Sequence, residues 1–331
     1  MMSRVWALAL CLALTTASAE AYLKLGLTIN GRSVLLKWTT TPVRYFVSDS
    51  GAGDVSAGTL DTVLTGAFAT WEGVDTSAIR FSRVGFTSAA PVGGDGVSVI
   101  GFVDHPEFDR VLGVTSYTLD GVSGELLEAD IALNASIDWS TAAGGQVGRY
   151  DLESIALHEI GHLGGLGHSA LGETSLMPGG GRRVLASGAV MFPIAFTPGN
   201  IDGRSLRADD VAGMSDLYPD SNFRSRTGSV SGRVTKNGRG VFGAHVVAFH
   251  LESEALIGNF TLDGDGAFVI AGIPPGPSIL RVEPLDDGDL ESFFATPSRV
   301  ELDFLVSYGS QVMVVPEGGN AASEAIAVRP K

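Results

Sequence analysis

Residues 158–168 read H-E-I-G-H-L-G-G-L-G-H, and no other stretch restricts so tightly what this chain can fold into. On a helix, His158 and His162 lie four residues apart, so their imidazoles project from one face and can share a metal ion. Glu159 sits one residue round, beside the open coordination position. Gly165 can turn the chain sharply, because it tolerates backbone angles that side chains forbid, and this brings His168 in from another direction as a third ligand. Three neutral nitrogens and one water suit a catalytic zinc, whereas a structural zinc is closed by four protein ligands. Any one of these histidines alone would read as an ordinary hydrogen-bonded helix residue. The joint pattern reverses that: with 6 His and 44 Gly in 331 residues, demanding a glycine and a third histidine at fixed offsets makes a chance match roughly 400-fold rarer.

The surroundings place this motif within an α+β arrangement. PVRYFV ending at Val47 alternates as a strand does, and Ser56 to Gly73 sets Leu60, Val63, Leu64, Phe68 and Trp71 at helical spacing. Residues 97–103, 111–118 and 129–134 read as strands, with a turn at 120–124. Asp151 is a suitable N-cap for a helix over Leu152 to Leu163. A glycine-rich stretch follows at 178–188, then a helix over Arg207 to Leu217, with Asp209 and Asp210 in a first turn that favours negative charge, and Pro219 as its stop. Residues 220–229 lack periodicity and read as a linker. Beyond them, short alternating runs separated by turn signals predict a small all-β sandwich over 230–331.

The motif HExxHxxGxxH is the long zinc signature of the metzincin metallopeptidases, and Ser169 directly after the third histidine resembles the matrixin branch. AVMFP at 189–193 with LRADDVAGMSDLYP at 206–219 is similar to the matrixin Met-turn and final helix. The resemblance runs from about Trp38 to Pro219. It implies a twisted, mainly parallel sheet with a zinc-binding helix over residues 20–219, one catalytic zinc on His158, His162 and His168, and Glu159 as general base. It implies Met191 as the Met-turn residue. Met177 competes, being nearer to His168, but AVMFP and the helix after it match as a unit. The family binds substrate as an added strand, which implicates Leu112, Gly113 and Val114, with Pro193 beginning the wall of the pocket after the scissile bond. Calcium is a second ion the family uses, and Asp120, Glu125 and Asp130 are its candidate ligands here. A second, structural zinc is not expected, since His105 is the only histidine upstream, and no propeptide cysteine is present before Trp38 to impose latency. The C-terminal texture resembles the transthyretin-like carboxypeptidase regulatory domain, to which no chemistry is assigned.

Residues 1–19 carry Arg4, an apolar run from Val5 to Leu14 and the triplet Ala17-Ser18-Ala19, which together read as a secretory signal. Export to the periplasm or the medium without a membrane anchor is therefore expected. The single cysteine, Cys11, falls inside that segment, so the mature chain forms no disulfide. The net charge of −15 disfavours nucleic acid as a partner. Protein or peptide substrates are expected, met by a monomer. The competing class is a non-catalytic adhesion or binding protein that keeps zinc for structure. Glu159 separates the two, because a purely structural zinc has no use for a glutamate beside its ligands.

Overall fold

In the computed structural model, residues 24–29, 32–104 and 111–331 are described. The signal-like segment and His105 lie outside them. The N-terminal part is built on a five-stranded sheet. Its strands are β1 (Val43–Ser48), β2 (Phe81–Thr87), β3 (Val99–Val103), β4 (Gly113–Leu119) and β5 (Leu126–Asn134), in the order β2-β1-β3-β5-β4. Three of the pairings are parallel, and only β4 runs antiparallel, along β5. This is a matrixin-like α+β arrangement, and it leaves β4 as the sheet's edge.

Two helices cover the sheet. In α1 (Ala57–Glu72) Ser56 caps the first turn by accepting from the Thr59 amide at 3.1 Å, and Leu60, Leu64, Ala67, Phe68 and Trp71 are buried along one stripe. The stripe follows the 3.6-residue period, so the helix is held by burial of one face, each large side chain contributing about 2 kcal/mol. In α2 (Leu152–Leu163) Asp151 caps the first turn through the Ser154 amide at 2.9 Å, and its carboxylate also binds Arg204. The Trp71 indole donates to the Leu157 carbonyl at 2.9 Å, fixing α1 against α2 deep in the core. Gly165, at φ +95°, ends the segment, and an added Cβ there would lie 2.6 Å from the Leu36 carbonyl oxygen.

The stretch 178–188 belongs to a hairpin of β6 (Gly172–Leu176) and β7 (Arg182–Ser187). Then comes α3 (Ala208–Leu217). Residues 220–229 are more ordered than the sequence predicts: Phe223–Arg226 form a short helix with Phe223 buried, and β8 (Gly228–Lys236) begins within the same stretch. The remaining strands include β9 (His245–His250), β10 (Leu256–Phe260), β11 (Ala267–Ile273) and β12 (Gly276–Glu283). They form two five-stranded sheets, one around β8 and β11 and one ordered β10-β9-β12 with short additional strands.

These sheets are not a separate bead. Their buried apolar side chains belong to the same continuous cluster as those of α1, α2 and the first sheet. Helix α3 approaches β11 so closely that a Cβ on Gly272, at φ +75°, would lie 2.7 Å from the Ala212 Cβ. Asp209, wholly buried, accepts from the Ser169 hydroxyl at 2.7 Å and from the Gly258 amide of β10 at 2.8 Å. It thus ties the residue after His168 to the C-terminal half. Among the described residues no helix is long and apolar enough to cross a membrane.

Candidate metal and active site

Helix α2 presents His158 and His162 from one face, and the turn at Gly164–Gly165 returns the chain so that His168 meets them. The ligand atoms of the three lie within 4.8 Å of one another, and among the described residues they are the only such group of three or more His, Cys, Asp or Glu. Each ring is oriented through Nδ1, which donates to a backbone carbonyl: Val190 for His158, Leu166 for His162 and Ser292 for His168, each at 2.8 Å. Because Nδ1 carries the proton in all three, each Nε2 is left with a lone pair. The Nε2 atoms of His162 and His168 stand 3.1 Å apart. Two lone pairs so close repel unless a cation lies between them, so the donor set fits a zinc ion, with second-sphere carbonyls of the usual kind.

The electrostatics agree. Burial lowers the pKa of His158, and burial together with the other two histidines holds His162 well below its ordinary value. His168 is pushed down to about 4, chiefly by burial and secondarily by His158. All three are neutral at pH 7, as ligands must be.

Glu159 is 5% exposed. The Thr115 hydroxyl donates to its Oε2 at 2.7 Å, and burial raises its carboxyl to about 7 against that hydrogen bond. A cation held by the histidines would draw that value down. The other carboxylate oxygen faces β4 at Gly113, where an added Cβ would lie only 2.8 Å away. Tyr117 of the same strand donates to the His162 carbonyl at 2.9 Å.

Met191 is fully buried beneath α2, its Sδ 2.3 Å from where a Cβ on Gly161 would be. Met177 lies 48% exposed in the turn after β6, away from that floor. The turn at Met191 is held by Asp210, whose carboxylate accepts from the Val190 and Met191 amides at 2.8 and 3.1 Å. Leu112, Gly113, Val114 and Pro193 all line one cleft of about 1120 Å³ with the three histidines and Glu159. Asp120, Glu125 and Asp130 are not brought together. Asp120 serves the turn after β4, accepting from the Val122 and Ser123 amides, Glu125 accepts from the Thr39 hydroxyl, and Asp130 is buried in β5 beside Glu128.

Sequence reading missed Thr115, Asp210 and Ser292. A threonine in an edge strand and an aspartate in a helix's first turn have ordinary local roles, and Ser292 acts through its carbonyl, which any residue supplies.

Residues 37–179 match the Matrixin (Peptidase_M10) family model. That stretch is similar to a matrixin-type metzincin domain. Metalloendoproteinase 1-MMP of Arabidopsis thaliana is 31% identical over 209 residues, covering 61% of this chain and 50% of that protein. Metalloendoproteinase 2-MMP of the same plant is 31% identical over 193 residues, covering 55% and 43%. The chain thus spans about half the length of the curated relatives it matches. Among solved structures, the hatching enzyme high choriolytic enzyme 1, a zinc-protease of Oryzias latipes, aligns with 55% of this chain and 94% of its own at 13% identity and a TM-score of 0.29.

Proposed function

We propose that this chain is an exported endopeptidase that hydrolyses peptide bonds of protein substrates with one zinc ion on His158, His162 and His168 and with Glu159 as general base. The observation that carries the reading is the convergence of three neutral Nε2 lone pairs beside a buried carboxylate in an open cleft. A zinc ion held by His158, His162 and His168 would supply Lewis acidity toward a carbonyl oxygen and would lower the pKa of a water molecule. The substrate backbone lies along the edge formed by Leu112, Gly113 and Val114, with Pro193 beginning the wall of the pocket after the scissile bond. Glu159, fixed by Thr115, takes a proton from the attacking water as the new C–O bond forms, and returns it to the amine as the C–N bond breaks. Residues 1–19 act as the export signal, 20–219 as the catalytic domain and 230–331 as a carboxypeptidase regulatory-like sandwich. Calcium enters this reading only as a stabilising ion; its test is a calcium-dependent rise in unfolding temperature.

The deciding experiment is hydrolysis of a denatured protein by the purified chain, with and without a zinc chelator, beside Glu159→Gln. Cleavage that stops with the chelator and in the variant, while the variant keeps about one zinc per chain, is expected. A folded, zinc-loaded wild type that cleaves nothing favours the non-catalytic binding protein instead, and a fully active Glu159→Gln refutes the base assignment.

A further inference from the structure

The three ligand histidines differ in where their support comes from. Val190 and Leu166, which hold His158 and His162, belong to the matrixin-type part, whereas Ser292, which holds His168, lies 124 residues downstream on a loop of the C-terminal sandwich. That loop leaves β12, crosses to the cleft and turns back at Leu290–Ser292. It is anchored along its length. Thr174 donates its amide and hydroxyl to Asp287, at 2.6 Å to the carboxylate and 2.9 Å to the carbonyl, and Arg182 donates to the Asp286 carbonyl at 2.8 Å. Leu285 and Phe294 are buried with Phe260 and Ala170, close behind His168. At the tip the Ser292 amide donates to the Asp289 carbonyl at 2.9 Å, which orients the Ser292 carbonyl, and the Phe293 ring stands edge-on to the His168 imidazole with centroids 6.5 Å apart. Asp289, Glu291, Ser292 and Phe293 line the same cleft as Gly113 and Pro193.

Resting on the three-histidine zinc reading, we propose that the C-terminal sandwich is a working part of the active site. The Ser292 carbonyl is the positioning group for the third metal ligand, and Phe293 forms a wall of the substrate cleft on the His168 side. A hydrogen bond to the outer nitrogen of a ligand histidine fixes its ring and raises its basicity, and losing such a partner typically costs 10–100-fold in metal affinity. The loop's anchors to the β6–β7 hairpin keep the carbonyl in place, so loosening them acts on the metal from a distance.

The test uses the full chain. Replacing Asp289–Ser292 with Gly-Gly withdraws the carbonyl, Asp287→Ala loosens the anchor without touching a ligand, and Phe293→Ala trims the wall. Zinc affinity is read by competition with a chromogenic chelator, and ligand geometry by the visible spectrum of the cobalt(II)-substituted protein. The shortened loop should lose zinc affinity at least 10-fold and alter the cobalt spectrum, with a smaller shift of the same kind in Asp287→Ala. Phe293→Ala should raise KM for peptides extended on one side of the scissile bond by a larger factor than it changes kcat. If the shortened loop does not fold, Asp287→Ala carries the first arm. Folded variants with wild-type zinc affinity, cobalt spectrum and KM overturn the proposal. A wild type that takes up no zinc instead overturns the metal-centre reading beneath it, an outcome distinct from loop variants that bind as well as wild type.

Discussion

Gly161, inside α2, sets two opposed effects against each other when it is replaced by alanine. Alanine is the better helix former by about 1 kcal/mol, so on propensity alone the variant gains stability. Space decides otherwise. The added Cβ would fall 2.3 Å from Met191 Sδ and 2.9 Å from Trp71 Cζ2. Neither neighbour can retreat easily: both are fully buried, Trp71 is tied to the Leu157 carbonyl, and the Met191 amide is held by Asp210. Overpacking of this kind costs roughly 1–3 kcal/mol, so Gly161→Ala should lose about 1–2 kcal/mol net. In a unit of this size that lowers the melting temperature by roughly 2–4 °C per kcal/mol. A second effect travels along the chain. Displacing Met191 moves Val190, whose carbonyl accepts from His158 Nδ1 at 2.8 Å, so zinc affinity should fall about 10-fold as well. Thermal unfolding of the metal-free chain and chelator competition measure the two losses separately. The double variant Gly161→Ala with Met191→Ala should be less destabilised than the sum of the singles, because the smaller residue vacates the contested space. A single variant as stable as wild type, or strict additivity in the double, refutes the reasoning.

Three further outcomes are expected. Gly113→Ala puts a Cβ 2.8 Å from Glu159 Oε1 and should cut kcat by about 10–100-fold with zinc content unchanged, since small misplacements of a reacting group are expensive; an unchanged kcat contradicts the geometry. Asp151→Ala removes both the α2 cap and the partner of Arg204, whose pKa that carboxylate raises, and should cost about 3 kcal/mol in urea unfolding; a loss under 1 kcal/mol means the pair contributes little. Burial raises Asp209 from 3.8 to about 7, so between those values the native state holds a proton the unfolded chain has released, and stability falls as pH rises through that window, by about 1.4 kcal/mol per unit for this group. Asp209→Asn, which can keep both hydrogen bonds, should flatten the slope by one proton in urea titrations between pH 4 and 7; identical slopes would falsify the assignment.

The part of the site that the sequence made legible is the part whose geometry is local. His158 and His162 share a face because of helical spacing, and the glycine turn brings His168 back within six residues of His162. Strand β2 escaped notice because FSRVGFT pairs on one edge only, is mostly part-exposed, and is interrupted by Gly85. The β6–β7 hairpin escaped because its turn is a run of glycines and β7 opens with two arginines, so 178–188 reads as a glycine-rich stretch and not as strand. Asp209 and Asp210 illustrate a different failure. Two acids opening a helix favour the macrodipole wherever they point, yet both are buried, one joining the two halves of the molecule and the other holding the turn at Met191. The hydrogen bond from His168 to Ser292 has no local trace at all.

That bond also sets an order in time. A chain made from its N-terminus produces His158, His162, Glu159 and His168 while the residue that steadies the last of them has yet to appear, more than a hundred residues later. Until the final third of the chain emerges and docks, the three-histidine cluster lacks one of its three supports. On the proposed function, such a molecule is at its weakest toward its own unfinished, most easily cleaved form, and reaches full strength only once there is a folded chain to withstand it.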